Sequence, residues 1–300
     1  MKKNNTFTLK KLVLALALAG YTMSSAYAVL TQPTGTIQGT APILSAVSNN
    51  AQHAVDFSGT YAVAGSLSSG DTIVMEYGYA DSDGDGDDSS DNTRVTWAYT
   101  PAGGGADVAI ASTGVNATSG TPGTSTIILP AGAVGATVIK ATIQEYSASG
   151  DPIFGQTITI ADTSLTTAPG GGGGGGTGVT PPGPVLPGSN VTPGIYLSTD
   201  AAFANNLIGT ATNLNVGDTY VFKLWDSAAV GTTDLTSTVP NYNWRLVGQS
   251  ATDSVTAPGT GFITSVTGGN FTIPVNTAAD GTPLTGSADG AQGFNLAVDY

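Results

Sequence analysis

Residues 70–79 read GDTIVMEYGY and residues 217–224 read GDTYVFKL. In the first stretch Ile73, Met75, Tyr77 and Tyr79 alternate with Val74, Glu76 and Gly78; in the second Tyr220, Phe222 and Leu224 share one face. A strict period of two marks a half-buried strand, because successive side chains of an extended chain point to opposite faces. The Gly-Asp pair ahead of each run is turn chemistry.

Working outward, the same alternation recurs. Val95, Trp97 and Tyr99 form one run, and Ile139, Ala141 and Ile143 another. Tyr242, Trp244 and Leu246 follow, then Phe271, Ile273 and Val275, then Phe294, Leu296, Val298 and Tyr300. Gly, Asn, Asp, Ser and Pro clusters separate the runs, and no stretch beyond the N-terminal segment shows a capped helical stripe. Trp97 follows Asp71 by 26 residues, as Trp244 follows Asp218. Thr126-Ile127-Ile128 is set against Thr272-Ile273-Pro274, one residue out of step. These ordered matches point to an internal duplication. One strand-borne Trp per unit suits the core anchor of an Ig-like sandwich, and with no cysteine it has no disulfide beside it. The expected fold is all-β: two tandem Ig-like β-sandwich domains joined by a polyglycine/proline linker.

The boundaries follow from composition. Lys2, Lys3, Lys10 and Lys11, the apolar run from Leu12 to Gly20, and Ala26-Tyr27-Ala28 compose a cleavable signal peptide over 1–28. The run is too short to span a bilayer, and no later segment is long and apolar enough to do so as a helix. The first sandwich is expected over 29–165 and the second over 191–300. Between them, 166–190 hold seven consecutive glycines, Gly170 to Gly176, then Pro181-Pro182-Gly183-Pro184. That composition reads as a flexible joint leading into a semi-rigid spacer. Without a preceding strand, a following helix or a lysine, the glycine run is not a phosphate loop.

Removing 1–28 leaves only Arg94, Lys140, Lys223 and Arg245 against 21 acidic residues. Nucleic-acid binding needs clustered cations and is excluded on this count, as is electrostatic docking to anionic lipid. Catalytic constellations are missing too. His53 is the single histidine, read as an exposed residue of a polar connection. Glu76 and Glu145, the two glutamates, are read as outward members of their strands. With Trp97 and Trp244 assigned to the cores, only Trp225 is left as an aromatic for a carbohydrate surface. The chain is expected not to be an enzyme.

Two features remain as candidate sites. Asp81-Ser82-Asp83-Gly84-Asp85-Gly86-Asp87 places carboxylates at Asp81, Asp83, Asp85 and Asp87 with Gly86 at the sixth position, as in a Ca²⁺ loop. The twelfth position is Asn92 rather than a bidentate Glu. Ca²⁺ is thus the one cofactor the sequence suggests. The second feature is an asymmetry. The run at 139–146 is followed by another at 154–160, whereas its counterpart Phe294, Leu296, Val298 and Tyr300 has no successor. The second sandwich is therefore expected to lack its last strand and to expose a partner-binding edge.

The Gly-Asp-Thr strand starts, the Asp-Ser-Asp-Gly-Asp loop and Val95-Thr96-Trp97-Ala98-Tyr99 resemble Ig-like modules of intimin/invasin-type surface systems. The layout as a whole resembles the small exported ZirU-type proteins associated with intimin/invasin-like outer-membrane proteins. That resemblance implies export, secreted or surface-associated, and a protein partner: an outer-membrane β-domain protein or a host surface. The expected function is non-catalytic interaction, adhesin-like or virulence-modulating. A structural or matrix subunit assembling by strand addition is the alternative.

Overall fold

The computed structural model describes residues 30–166, 175–227, 233–278 and 280–300. The expected signal peptide and Gly170–Gly174 lie outside those residues. The chain divides by contact into Met1–Gln38 and Gly39–Tyr300. Within the former, residues 30–38 form no regular element and are exposed. Among the described residues no helix is long and apolar enough to cross a membrane.

The body is all-β, with two 3-10 turns as its only helical pieces among the described residues. Its first nine strands are β1 (Ile43–Ser45), β2 (Asp56–Thr60), β3 (Thr72–Ala80), β4 (Val95–Tyr99), β5 (Val108–Ile110), β6 (Ser112–Val115), β7 (Gly123–Ile128), β8 (Ile139–Tyr146) and β9 (Phe154–Ile160). One sheet runs β1-β3-β7-β6 with β2 also on β3; the other runs β5-β4-β8-β9, every pair antiparallel. The inward residues of both sheets meet in one core holding Ile73, Met75, Tyr77, Trp97, Ile127 and Ile143. Trp97 is buried and donates its indole N–H to Ser125 Oγ at 3.0 Å, so its polar edge is satisfied.

The remaining strands are β10 (Thr192–Leu197), β11 (Thr219–Trp225), β12 (Asn243–Gly248), β13 (Phe262–Thr267), β14 (Phe271–Thr272) and β15 (Phe294–Asp299). They form sheets β10-β11-β14 and β13-β12-β15 around a second core built on Phe222, Leu224, Trp244, Leu246 and Phe271. Trp244 is buried and donates to the Gly269 carbonyl at 3.0 Å.

The duplication is visible in matching hydrogen bonds. Gly70 N–H donates to the Leu129 carbonyl and Leu129 N–H to that of Asp71; Gly217 and Ile273 N–H donate likewise to Ile273 and Asp218. Leu129-Pro130 is thus the counterpart of Ile273-Pro274. Ile128 and Thr272, which face Thr72 and Thr219, are equivalent. The residue equivalent to Thr272 is thus Ile128, two positions beyond the Thr126 expected from sequence. Loops between strands absorb insertions that the strands themselves do not.

Residues 175–188, read as joint and spacer, are laid along the first sandwich. Gly178 exchanges hydrogen bonds with Phe57 N–H (3.0 Å) and Asp56 Oδ1 (2.8 Å). Leu186 bridges Leu67 and Ser69. Val185 is buried in the first core. A Cβ at Gly176 would collide with the Asp56 carboxylate, so glycine there serves close approach as well as freedom. Val185→Ala is expected to cost about 2 kcal/mol of stability in urea unfolding. A loss near zero would mean that this segment is a free spacer after all.

Candidate functional site

Four strand edges close or expose the second sandwich. β10 is covered on its outer side: Leu207 N–H donates to the Ile195 carbonyl at 2.8 Å, and Ile195 N–H to Asn206 Oδ1 at 3.1 Å. β13 pairs with β12 through a bulge and carries Ser265 at φ 58°, a break that spoils it as a template. β14 is two residues long. β15 differs from all three. Its six residues pair with β12 in unbroken register from Asn243↔Asp299 to Gly248↔Phe294. Its other side has no partner among the described residues.

The first sandwich shows what that side would hold. Trp97 faces Ala141 and Trp244 faces Val298, so β15 is the counterpart of β8, with Tyr300 in the place of Ile143. β8 is flanked by β9, which sets Ile160 against Ala141 and Ile158 against Ile143. Under that cover Ile139, Ala141 and Ile143 are at most 2% exposed. The equivalent Leu296 and Val298 are only half-buried, and Tyr300 is 44% exposed. A groove of about 380 Å³ runs beside β15, walled by Ile195, Leu207, Ile208 and Phe222 opposite Leu296 and Val298. A second cavity of about 360 Å³ continues it past Phe294. None of the residues lining the first groove is charged. Phe294, Leu296, Val298 and Tyr300, singled out from sequence, thus lie together on one unpaired edge.

In the acidic loop, Asp81, Asp83 and Asp85 bring carboxylate oxygens within 4.8 Å of one another. Asp83 Oδ2 also accepts from Thr40 N–H at 2.6 Å, and Asp85 Oδ1 from Ser149 Oγ at 2.5 Å. Asp81 Oδ2 is buried without a hydrogen-bond partner. Asp87 turns away. It is buried, and its carboxylate accepts from Tyr77 Oη (2.9 Å), Ala117 N–H (2.6 Å) and Ser89 N–H (2.8 Å). Burial, and then the charge of Asp87, push the Tyr77 phenol well above its ordinary value. Asn92 is also elsewhere, accepting from Ser112. Three carboxylates of the proposed set therefore converge, and the remaining ligands of a six- to eight-coordinate ion would have to be water or backbone.

The catalytic side of the reading changes at Glu145. Expected on the outward face, Glu145 is wholly buried. Its Oε1 accepts from Leu44 N–H (2.9 Å) and pairs with His53 Nδ1 (2.8 Å), while Oε2 accepts from Gln156 N–H (2.7 Å). Those partners sit on β1, on the β1–β2 connection and on β9, so the carboxylate bolts the two sheets together at their edge. The phase was available in the sequence: Glu145 has the parity of Ile139, Ala141 and Ile143. His53 is likewise a tethered partner rather than a free loop residue, its side chain 29% exposed. Trp225, left over as a surface aromatic, is buried with its indole on Tyr196 Oη.

No family model, curated protein or solved structure matches the chain. Arg94, Lys140, Lys223 and Arg245 are each paired with an aspartate: Asp88 and Asp91, Asp107, Asp234 and Asp299. Glu145→Ala is expected to destabilise the protein by about 3–5 kcal/mol in urea unfolding, because it leaves two backbone N–H groups and the imidazole without an acceptor. A loss under about 1 kcal/mol would show that the bolt carries no stability.

Proposed function

We propose that the chain is an exported, non-catalytic interaction protein that engages a protein partner through the open edge of its second sandwich. The observation that supports this reading is the unpaired β15 beside a groove lined by aliphatic and uncharged polar residues. Edge strands are normally shortened, charged, bulged or covered, and β15 has none of those protections beyond Asp299 at its end. The resemblance to ZirU-type exported proteins adds an outer-membrane β-domain protein as the partner of choice, with an adhesin-like or virulence-modulating role. Assembly into a matrix by strand addition is the alternative, and it uses the same edge.

The test is retention of an outer-membrane protein from detergent extracts by the tagged chain, compared with Ile208→Asp. Ile208 is 46% exposed on the groove wall, so a charge there should spare the fold. Capture by the parent chain and at least about tenfold weaker capture by the variant is the expected result. Equal capture by both would remove the groove from the account, and no capture would remove the partner.

A second reading concerns Ca²⁺ at Asp81, Asp83 and Asp85, favoured by the buried, unpartnered Asp81 Oδ2. Millimolar Ca²⁺ is expected to raise the melting temperature, and Asp83→Ala with Asp85→Ala to abolish the rise. A parent chain that melts unchanged with Ca²⁺ would retire the ion.

A further inference from the structure

We infer that residues 175–180 are a detachable cover for the outer edge of β2, which lifts off as a unit while the rest of the chain stays folded. On one side β2 pairs with β3, from Asp56↔Glu76 to Thr60↔Thr72. Its other side is met by the glycine-rich stretch. Gly175 bridges Val55 in parallel, Gly176 N–H donates to the Val55 carbonyl at 3.1 Å, and Phe57 N–H donates to that of Gly178 at 3.0 Å. Thr177 N–H donates to Ser48 Oγ (2.9 Å), Gly178 N–H to Asp56 Oδ1 (2.8 Å) and Thr180 N–H to the Thr163 carbonyl (3.0 Å). These bonds occupy groups that would otherwise leave β2 an open pairing edge.

What makes the cover detachable is what it lacks. Backbone bonds hold it, and Thr180 carries the one buried side chain of 175–180. Glycine also gives up the most chain entropy on being fixed. Farther along, Pro181, Pro182 and Pro184 have no N–H to donate, so a stiff piece separates the cover from a second bonded patch. That patch is anchored differently. Val185 is buried in the first core and exchanges hydrogen bonds with Ala136 and Gly135, and Leu186 bridges Leu67 and Ser69. A segment with few buried apolar contacts opens at a lower free energy than one fixed in a core. Cover and anchor are therefore separate units. Lifting the cover bares the outer backbone groups of Val55 and Phe57, while Val185 still holds the second sandwich in place.

Native-state amide hydrogen exchange reads the two units separately. The N–H groups of Phe57, Gly176, Gly178 and Thr180 should share one level of protection, at least about tenfold below that of Leu186 and Ser69. The Thr163 and Thr180 hydroxyls lie 2.9 Å apart and the chain has no cysteine, so Thr163→Cys with Thr180→Cys supplies a single thiol pair that pins the cover. Oxidising that pair should raise the protection of the remaining cover amides together, by about tenfold or more, and reduction should return it, with Leu186 and Ser69 unchanged. Gly176→Ala acts the other way. Its Cβ would meet the Asp56 carboxylate and lie 2.7 Å from the Val55 carbonyl oxygen, which holds the cover off. Phe57 N–H should then lose its protection while the amides from Ala141 to Ile143 keep theirs. Cover amides as protected as Leu186 in the parent chain, or unrelated rates that the crosslink does not move, would overturn the inference. So would loss of protection throughout the first sandwich in Gly176→Ala, since the stretch would then be part of the fold and not a cover on it.

Discussion

An apolar layer between two sheets persists only if every side of it is shut off from water, and a strand edge persists only if its backbone groups find partners or water. In the first sandwich both conditions are met at once by β9. It completes the ladder of β8 and drops Ile158 and Ile160 into the core. Burying two such side chains is worth about 1.5–3 kcal/mol each. The Glu145 carboxylate then ties β9 and β1 to β8 from within. The second sandwich repeats the scaffold down to the Gly-Asp hydrogen bonds with Ile273. There β15 pairs with β12 alone among the described residues.

Much of the architecture is legible in the sequence, because alternation is a direct consequence of strand geometry and survives wherever one face is buried. Trp97 and Trp244 could be assigned to cores from spacing alone. The run from Phe294 to Tyr300 could be read as a strand from its alternation. What could not be read is where polar atoms go. Asp56, Asp71, Asp87 and Glu145 are buried because each meets several donors, and for Asp56, Asp87 and Glu145 some of them come from distant parts of the chain. A carboxylate in a sequence says nothing of its eventual donors, and composition rules send it to the surface. Glu145 is the instructive case, since its parity pointed inward while its charge pointed outward, and the phase won.

The glycine- and proline-rich stretch teaches a related point. Composition encodes how much freedom a segment loses on ordering, not what it touches. Residues 175–188 have the make-up of a spacer, yet glycine's missing side chain lets the backbone close on Asp56 and Phe57, and Val185 then enters the core. The second sandwich is thereby attached to a wall of the first rather than to a free tether, with Ala131 of the first packed into the second core.

Amide hydrogen exchange along β15 measures the central claim most directly. With one side of β15 bonded to β12 and the other open, amides from Asn295 to Asp299 should alternate between slow and nearly unprotected. The amides from Ala141 to Ile143 in β8, bonded on both sides, should all be slow. Uniform protection of β15 at the level of β8 would mean that the edge is already covered, and the account of an open groove would be wrong.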